Sequence, residues 1–200
     1  MLSHGRVEDV DLDTNEWPVT LQAPVSPDRD HIRGPDDAPV TVVEYGDYEC
    51  RFCGAAHLVS KALQLNMGQH VRYAFRHFPM TTIHPHSARA AEVAEAAGRQ
   101  GRFWLMHDIL FENQCELSRE YILGYAKAIN LDMLRFRSDL AHHVHAGRIR
   151  EDFLSGVRSG VHGTPTFYVN GIRHDGAWTL SSLRIAVERA RSAPIRVLAR

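Results

Sequence analysis

Two cysteines three positions apart, in GDYECRFCGAAH (Gly46–His57), stand where a short apolar run gives way to helical spacing. Just upstream, VTVVEY (Val40–Tyr45) is rich in β-branched residues and follows the turn cluster GPDDAPV (Gly34–Val40), the pattern of a buried strand. From Cys53 the apolar residues Ala56, Val59, Ala62 and Leu63 recur at helical spacing, predicting a helix to about Asn66. VRYAFRHF (Val71–Phe78) then alternates as a strand, Val71, Tyr73, Phe75 and His77 against Arg72, Ala74, Arg76 and Phe78. Strand, helix, strand at this spacing is a βαβ unit with the helix as a right-handed crossover, and the cysteine pair opens that helix.

The period then changes twice. From about Pro85 to Ser159 the pattern is helical. PHSARAAEVAEAAGRQG ends at glycine, FWLMHDILFEN is amphipathic, and SREYILGYAKAINLD opens on Ser118 as an N-cap. Further helices are expected over Leu134–Leu140 and Ile149–Val157. In TFYVNGIRHDG two strand-like runs flank Asn170-Gly171, residues suited to the positive φ of a two-residue hairpin turn. A last helix, about Leu180 to Ala190, sets Leu183, Ala186, Val187 and Ala190 on one face with Thr179 as cap. Residues 1–33 show little periodicity and read as a partly extended leader, with a short edge strand around Val19–Leu21.

A length of 200 residues suits one domain, or one domain with an insertion, and such a chain buries a core without covalent staples. The formal net charge of -1 creates no field that gathers nucleic acid or anionic lipid, so neither nucleic acid nor membrane is expected as a partner. No apolar run approaches the roughly 18–20 residues of a bilayer span. The N-terminal MLSHGRVEDVDLDTNEWPV lacks a positive n-region and an apolar stretch, which reads as cytoplasmic residence. Thiols stay reduced there, and three cysteines are too few for a disulfide scaffold.

Three readings of the pair follow. As a redox centre, two sulfurs at i and i+3 in the first helical turn are close enough to bridge, and the helix N-terminus favours the anion on the first. Cys50 is then the exposed attacking thiol and Cys53 the sheltered resolving one. Arg51 adds a positive charge that favours the thiolate, while Glu49 and Asp47 oppose it. As half of a metal site, the pair needs two more ligands. His84, His86, His142, His143 and His145 are candidates, yet none forms a second C-x-x-C or a zinc-finger histidine pair. The third reading is two inert thiols. GVHGTPTFYVNG adds Thr164-Pro165 at the start of a strand beside the βαβ unit, where the peptide bond is either a maintained cis geometry or an ordinary trans one.

A strand ending in EYGDYEC, a C-x-x-C at a helix start, an inserted helical block and GTPTFYVNG together resemble the DsbA-like branch of the thioredoxin superfamily. The GPDDAPV stretch and RHFP followed by HP fit the same branch, and the likeness covers about Asp28 to Ala190. The resemblance implies an α/β thioredoxin fold, βαβ followed by ββα around a central mixed sheet, with an inserted helical subdomain. Residues 34–84 and 160–193 would form the thioredoxin-fold domain and 85–159 the insertion. It further implies Cys50 as nucleophile, Cys53 as resolving cysteine and Pro165 as a cis-proline facing them. Thr164 would present backbone to an extended substrate peptide. Glu44 falls where such proteins carry a buried carboxylate able to relay a proton to or from Cys53; the alternative is a strand residue facing solvent. Arg51 and Phe52, the dipeptide between the cysteines, complete the candidate substrate contacts, and Arg51 departs from the proline common at its position.

The expected activity is thiol–disulfide exchange on protein or small thiol substrates through a mixed disulfide, with no cofactor and no metal, and with a redox partner. The rivals are a thioredoxin-like binding module and a zinc or copper site. Cys115 reads as a spare thiol, His84 and His86 as capping or surface residues around Pro85, and HHVH (142–145) as a solvated face. Phe103, Trp104 and Phe111 are spaced as helix core, and some could line an apolar groove beside the cysteines.

Overall fold

The computed structural model describes residues 20–192. Its strands are β1 (His31–Arg33), β2 (Val40–Gly46), β3 (Val71–His77), β4 (Thr166–Val169) and β5 (Ile172–Arg173). They form a five-stranded sheet in the order β1-β3-β2-β4-β5. β2 and β3 run parallel, joined by the crossover helix α1 (Arg51–Met67), while the other neighbours pair antiparallel. Between β3 and β4 come α2 (Ser87–Gly98), α3 (Phe103–Glu112), α4 (Arg119–Ala128), α5 (Met133–Ala141) and α6 (Ala146–Arg158), and α7 (Leu180–Ser192) follows β5. The architecture is the thioredoxin fold with a central mixed sheet and inserted helices.

Local chemistry accounts for the element ends. Asn170 and Gly171 both take positive φ, 46° and 80°, so β4 and β5 close as a tight hairpin. The Thr179 hydroxyl accepts the Ser182 N–H at 3.3 Å, capping α7, and the Asp132 carboxylate caps α5 through the N–H groups of Leu134 and Arg135. Ser118 precedes α4 without a side-chain cap bond.

Both faces of the sheet are covered. One carries Val42, Phe75, Phe167 and residues of α1, α3 and α7; the other carries Val43, Tyr45, Ala74 and Tyr168 against Phe78, Phe153 and Val161. β2 and β3 are therefore buried along nearly their whole length, as expected for parallel strands with helices on both faces. The alternation of β3 does not divide core from solvent: Arg76 is fully buried on the second face.

That arginine explains a departure near the N-terminus. Within the residues expected as a leader, Thr20 bridges Ile172, and β1 pairs with β3. Val19 lies outside the described residues. The turn before β1 brings Asp30 against Arg76, with Nε–Oδ1 at 2.8 Å and Nη2–Oδ2 at 3.0 Å. The remaining guanidinium protons go to the carbonyls of Ala23 and Pro24 and to Tyr45 Oη, so the cation is fully satisfied. Three residues, HIR, are too short for a period, which is why the strand gave no signal.

Candidate active site

β2 ends at Gly46, and the chain turns through Asp47, Tyr48 and Glu49 to Cys50, the N-cap of α1. Asp47 braces this turn. Its Oδ1 accepts the Glu49 N–H at 2.9 Å, and its Oδ2 accepts the Met80 N–H and meets His84 Nδ1, both at 2.8 Å. Glu49 in turn accepts the His86 N–H at 2.6 Å. The two acids thus tie the cysteine loop to the segment after β3 instead of standing open beside the sulfur. His84, expected to cap or to face solvent, is part of that brace.

A second brace carried no sequence signal. Gln114, after α3, donates from Nε2 to the carbonyls of Tyr48 at 2.8 Å and Cys50 at 2.9 Å. Gly54 makes room for it: a Cβ there would stand 2.0 Å from Gln114 Oε1. The contact spans more than sixty residues, so no local pattern announces it. The neighbouring Cys115 is exposed.

Cys50 and Cys53 are both free thiols. Cys53 is fully buried and accepts the Asp47 N–H at 3.4 Å. Cys50 retains only 5% of its surface, a correction to the exposed thiol expected from sequence. The cause is the segment just before β4: Cys50 Sγ lies 3.4 Å from the Thr164 carbonyl, and the Thr164–Pro165 peptide bond is cis. Beside them a groove of about 600 Å³ is lined by Phe52, Thr164, Pro165, Arg173 and Trp178 among others. Phe52 is 49% exposed on it. Phe103 and Phe111 are core residues, as their spacing predicts, while the Trp104 indole donates to the Ile32 carbonyl at 3.2 Å.

The surroundings split the two thiols. Cys50 is lowered to about 5, chiefly by the hydrogen bond from Cys53, with Thr164 and the N–H groups of Cys53 and Phe52 adding to it against the cost of burial. Cys53 is pushed well up by burial, then by its bond to Cys50 and the charge of Glu44. The Arg51 guanidinium lies 4.7 Å over the Phe52 ring.

Glu44 is 1% exposed, on the buried side of the alternatives posed for it. Its Oε2 accepts Ser60 Oγ at 3.0 Å and Tyr73 Oη at 2.6 Å, whereas Oε1 has no partner. Burial raises it to about 7, only partly offset by the Tyr73 and Ser60 bonds. The folded chain thus holds a proton there that the unfolded chain releases near pH 4.5, so this group stabilises the fold less as pH rises from about 4.5 through 7. Glu44→Gln keeps an acceptor for both hydroxyls and removes the titration. Between pH 4 and pH 9 the variant should gain about 3 kcal/mol relative to the parent in urea unfolding. A difference constant across pH would put the proton elsewhere.

The thioredoxin family model matches residues 26–189. The chain is 50% identical over 179 residues to a Na(+)/H(+) antiporter NhaA 1 of Salinispora arenicola, covering 90% of this chain and 27% of that protein. It is 42% identical over 178 residues to the NhaA antiporter of Herminiimonas arsenicoxydans, covering 89% and 28%. The chain thus spans little more than a quarter of the curated relatives it matches. Among solved structures, a thioredoxin-like oxidoreductase from Silicibacter pomeroyi aligns at TM-score 0.74 and 28% identity, over 83% of this chain and 94% of that one. BdbD from Bacillus subtilis aligns at TM-score 0.77 and 23% identity, over 90% and 100%, a likeness of fold. With a matching model over most of its length and a sheet, cysteine helix and helical insertion of this form, the chain belongs to the thioredoxin family.

Proposed function

We propose that the chain is a thiol–disulfide oxidoreductase acting through Cys50 and Cys53 on protein or small thiol substrates. The observation that carries this reading is the geometry of the pair: Cys50 caps the start of α1 against the cis Thr164–Pro165 bond, and Cys53 lies fully buried one turn on, an arrangement that lowers the first thiol and raises the second. Cys50 thiolate attacks one sulfur of a substrate disulfide and expels the other as a thiolate, which takes a proton from water, leaving a mixed disulfide. Cys53 loses its proton and attacks Cys50 Sγ, which closes the Cys50–Cys53 bridge and releases the second substrate thiol; two electrons pass to the substrate. Run backwards, the bridge oxidises a substrate dithiol. Glu44, whose charge raises Cys53, is the candidate proton acceptor for the second step. Thr164 offers its backbone to an extended substrate, with Phe52 lining the groove and Arg51 stacked over the Phe52 ring.

Na(+)/H(+) antiport is the named activity of relatives of which this chain spans 27%. No described helix is long and apolar enough to cross a membrane, and the proposed chemistry rests on the thiol pair alone. The test is equilibration against glutathione in a Cys115→Ser background. A bridge between Cys50 and Cys53 should form and break reversibly; a pair that stays reduced at every ratio overturns the reading. A potential near about -270 mV marks a reductant suited to the cytoplasm, and one near about -120 mV an oxidant suited to an oxidising compartment.

A further inference from the structure

One buried cluster plays no part in that chemistry. His57 lies on α1, four residues past Cys53, and His107 and Asp108 are neighbours on α3. A ligand atom from each lies within 4.8 Å of the other two. His57 Nε2 stands 3.9 Å from Asp108 Oδ1 and has no hydrogen-bond partner, although the side chain is only 3% exposed. A buried imidazole nitrogen left unpaired is costly, and it calls for a partner.

We propose that His57, His107 and Asp108 form a binding site for a first-row divalent metal ion of the zinc class. Two imidazoles and one carboxylate are the donor set such ions take. Tyr48 Oη meets His107 Nδ1 at 3.1 Å, an outer hydrogen bond of the kind that orients a ligating ring and leaves its second nitrogen for the metal. The ring of His57 is held by stacking on Phe111, with centroids 5.1 Å apart. Metal–ligand bonds of about 2.0–2.2 Å require donor separations of roughly 3–4 Å, which the 3.9 Å between His57 Nε2 and Asp108 Oδ1 already meets, so the set needs only a small inward movement from its 4.8 Å limit. Asp108 is 23% exposed and gives the ion its way in.

A cation already occupies this corner. Arg33 Nη2 lies 3.3 and 3.2 Å from the two Asp108 oxygens, with its guanidinium over the Trp104 ring at 4.5 Å. Arg33 is therefore a competitor for the carboxylate, and a bound ion displaces it towards solvent. The ion joins the helix that carries Cys53 to the helical insertion.

The experiment uses the full chain with Cys50, Cys53 and Cys115 replaced by serine, so that no thiolate binds metal and the result is independent of redox activity. Zinc is titrated by calorimetry and cobalt by its visible absorption. One equivalent should bind, at least about tenfold more weakly in Asp108→Asn and His57→Phe. In Arg33→Gln it should bind about tenfold more tightly, the size expected when one charge a few Å from a divalent ion is removed. The Arg33 variant separates ligation from damage to the fold, because loss of structure cannot tighten binding. Absence of one-equivalent binding, which would leave a water as the partner of His57, overturns the proposal. So does binding indifferent to Asp108 and Arg33, which would place the ion on other histidines.

Discussion

Cys53→Ala should stall exchange at the mixed disulfide, and Cys50→Ser should stop it before any covalent species forms. The asymmetry follows from the environments of the two sulfurs. Cys50, lowered to about 5, is a thiolate at neutral pH, whereas Cys53 is buried, raised and reachable only through Cys50. In Cys53→Ala the attack on substrate still occurs but nothing resolves it, so a substrate–Cys50 adduct accumulates that migrates as a larger species without reductant. Part of the thiolate stabilisation disappears with Cys53, so the attack rate in this variant should also fall off at a higher pH than in the parent. In Cys50→Ser turnover should drop on the order of a thousandfold or more, as losses of a covalent nucleophile do. Adduct formation in Cys50→Ser through Cys53 would reverse the assigned roles.

The largest stability loss is expected at Asp30→Ala. The change leaves the Arg76 guanidinium wholly buried and strips it of a bidentate partner, which should cost about 3–5 kcal/mol in urea unfolding. Burial would raise the Asp30 carboxyl, but the Arg76 bond and charge outweigh it and hold it below its ordinary value. The pair thus stabilises the fold above the ordinary carboxylate range and is lost as pH falls through the lowered value. Replacing both partners by apolar residues of similar volume should recover only part of the loss: the pair's own desolvation disappears, but the Ala23 and Pro24 carbonyls and the Tyr45 hydroxyl lose their donor. A loss below about 1 kcal/mol in the single variant would mean that the pair behaves as an exposed one.

The elements legible in the sequence were those with a strong local period or a special backbone. The run Val40–Tyr45, the apolar spacing from Ala56 to Leu63 and the Asn170-Gly171 turn each declare themselves within a few residues. The insertion helices emerged within a few residues of their expected bounds for the same reason. What escaped was long-range. β1 is three residues long and exists because β3 offers an edge. Arg76 looked like one side of an alternation because nothing local says that α6 and Asp30 cover that face. Glu44 could face either way, since a strand buried on both faces has no period to read. At the site, the cysteine spacing and Thr164-Pro165 were visible as motifs, but Gln114, the Asp47–His84 brace and the depth of Cys50 were not. Those are contacts between segments distant in the chain.

Four separate stretches, 46–50, 80–86, 114 and 164–165, meet around one sulfur. The lowered ionisation of Cys50 is therefore a property of the finished fold and is absent from the peptide. While the chain is still being synthesised, only the first two stretches precede the helical block, and Thr164 emerges more than a hundred residues after Cys50. Until then the cysteine has the ordinary pKa of an unfolded thiol, about 8.5, and is mostly protonated at neutral pH. In a nascent or partly unfolded molecule Cys50 is therefore an ordinary thiol, and what the finished fold adds is a sulfur held ionised at neutral pH and a better leaving group when Cys53 attacks the mixed disulfide.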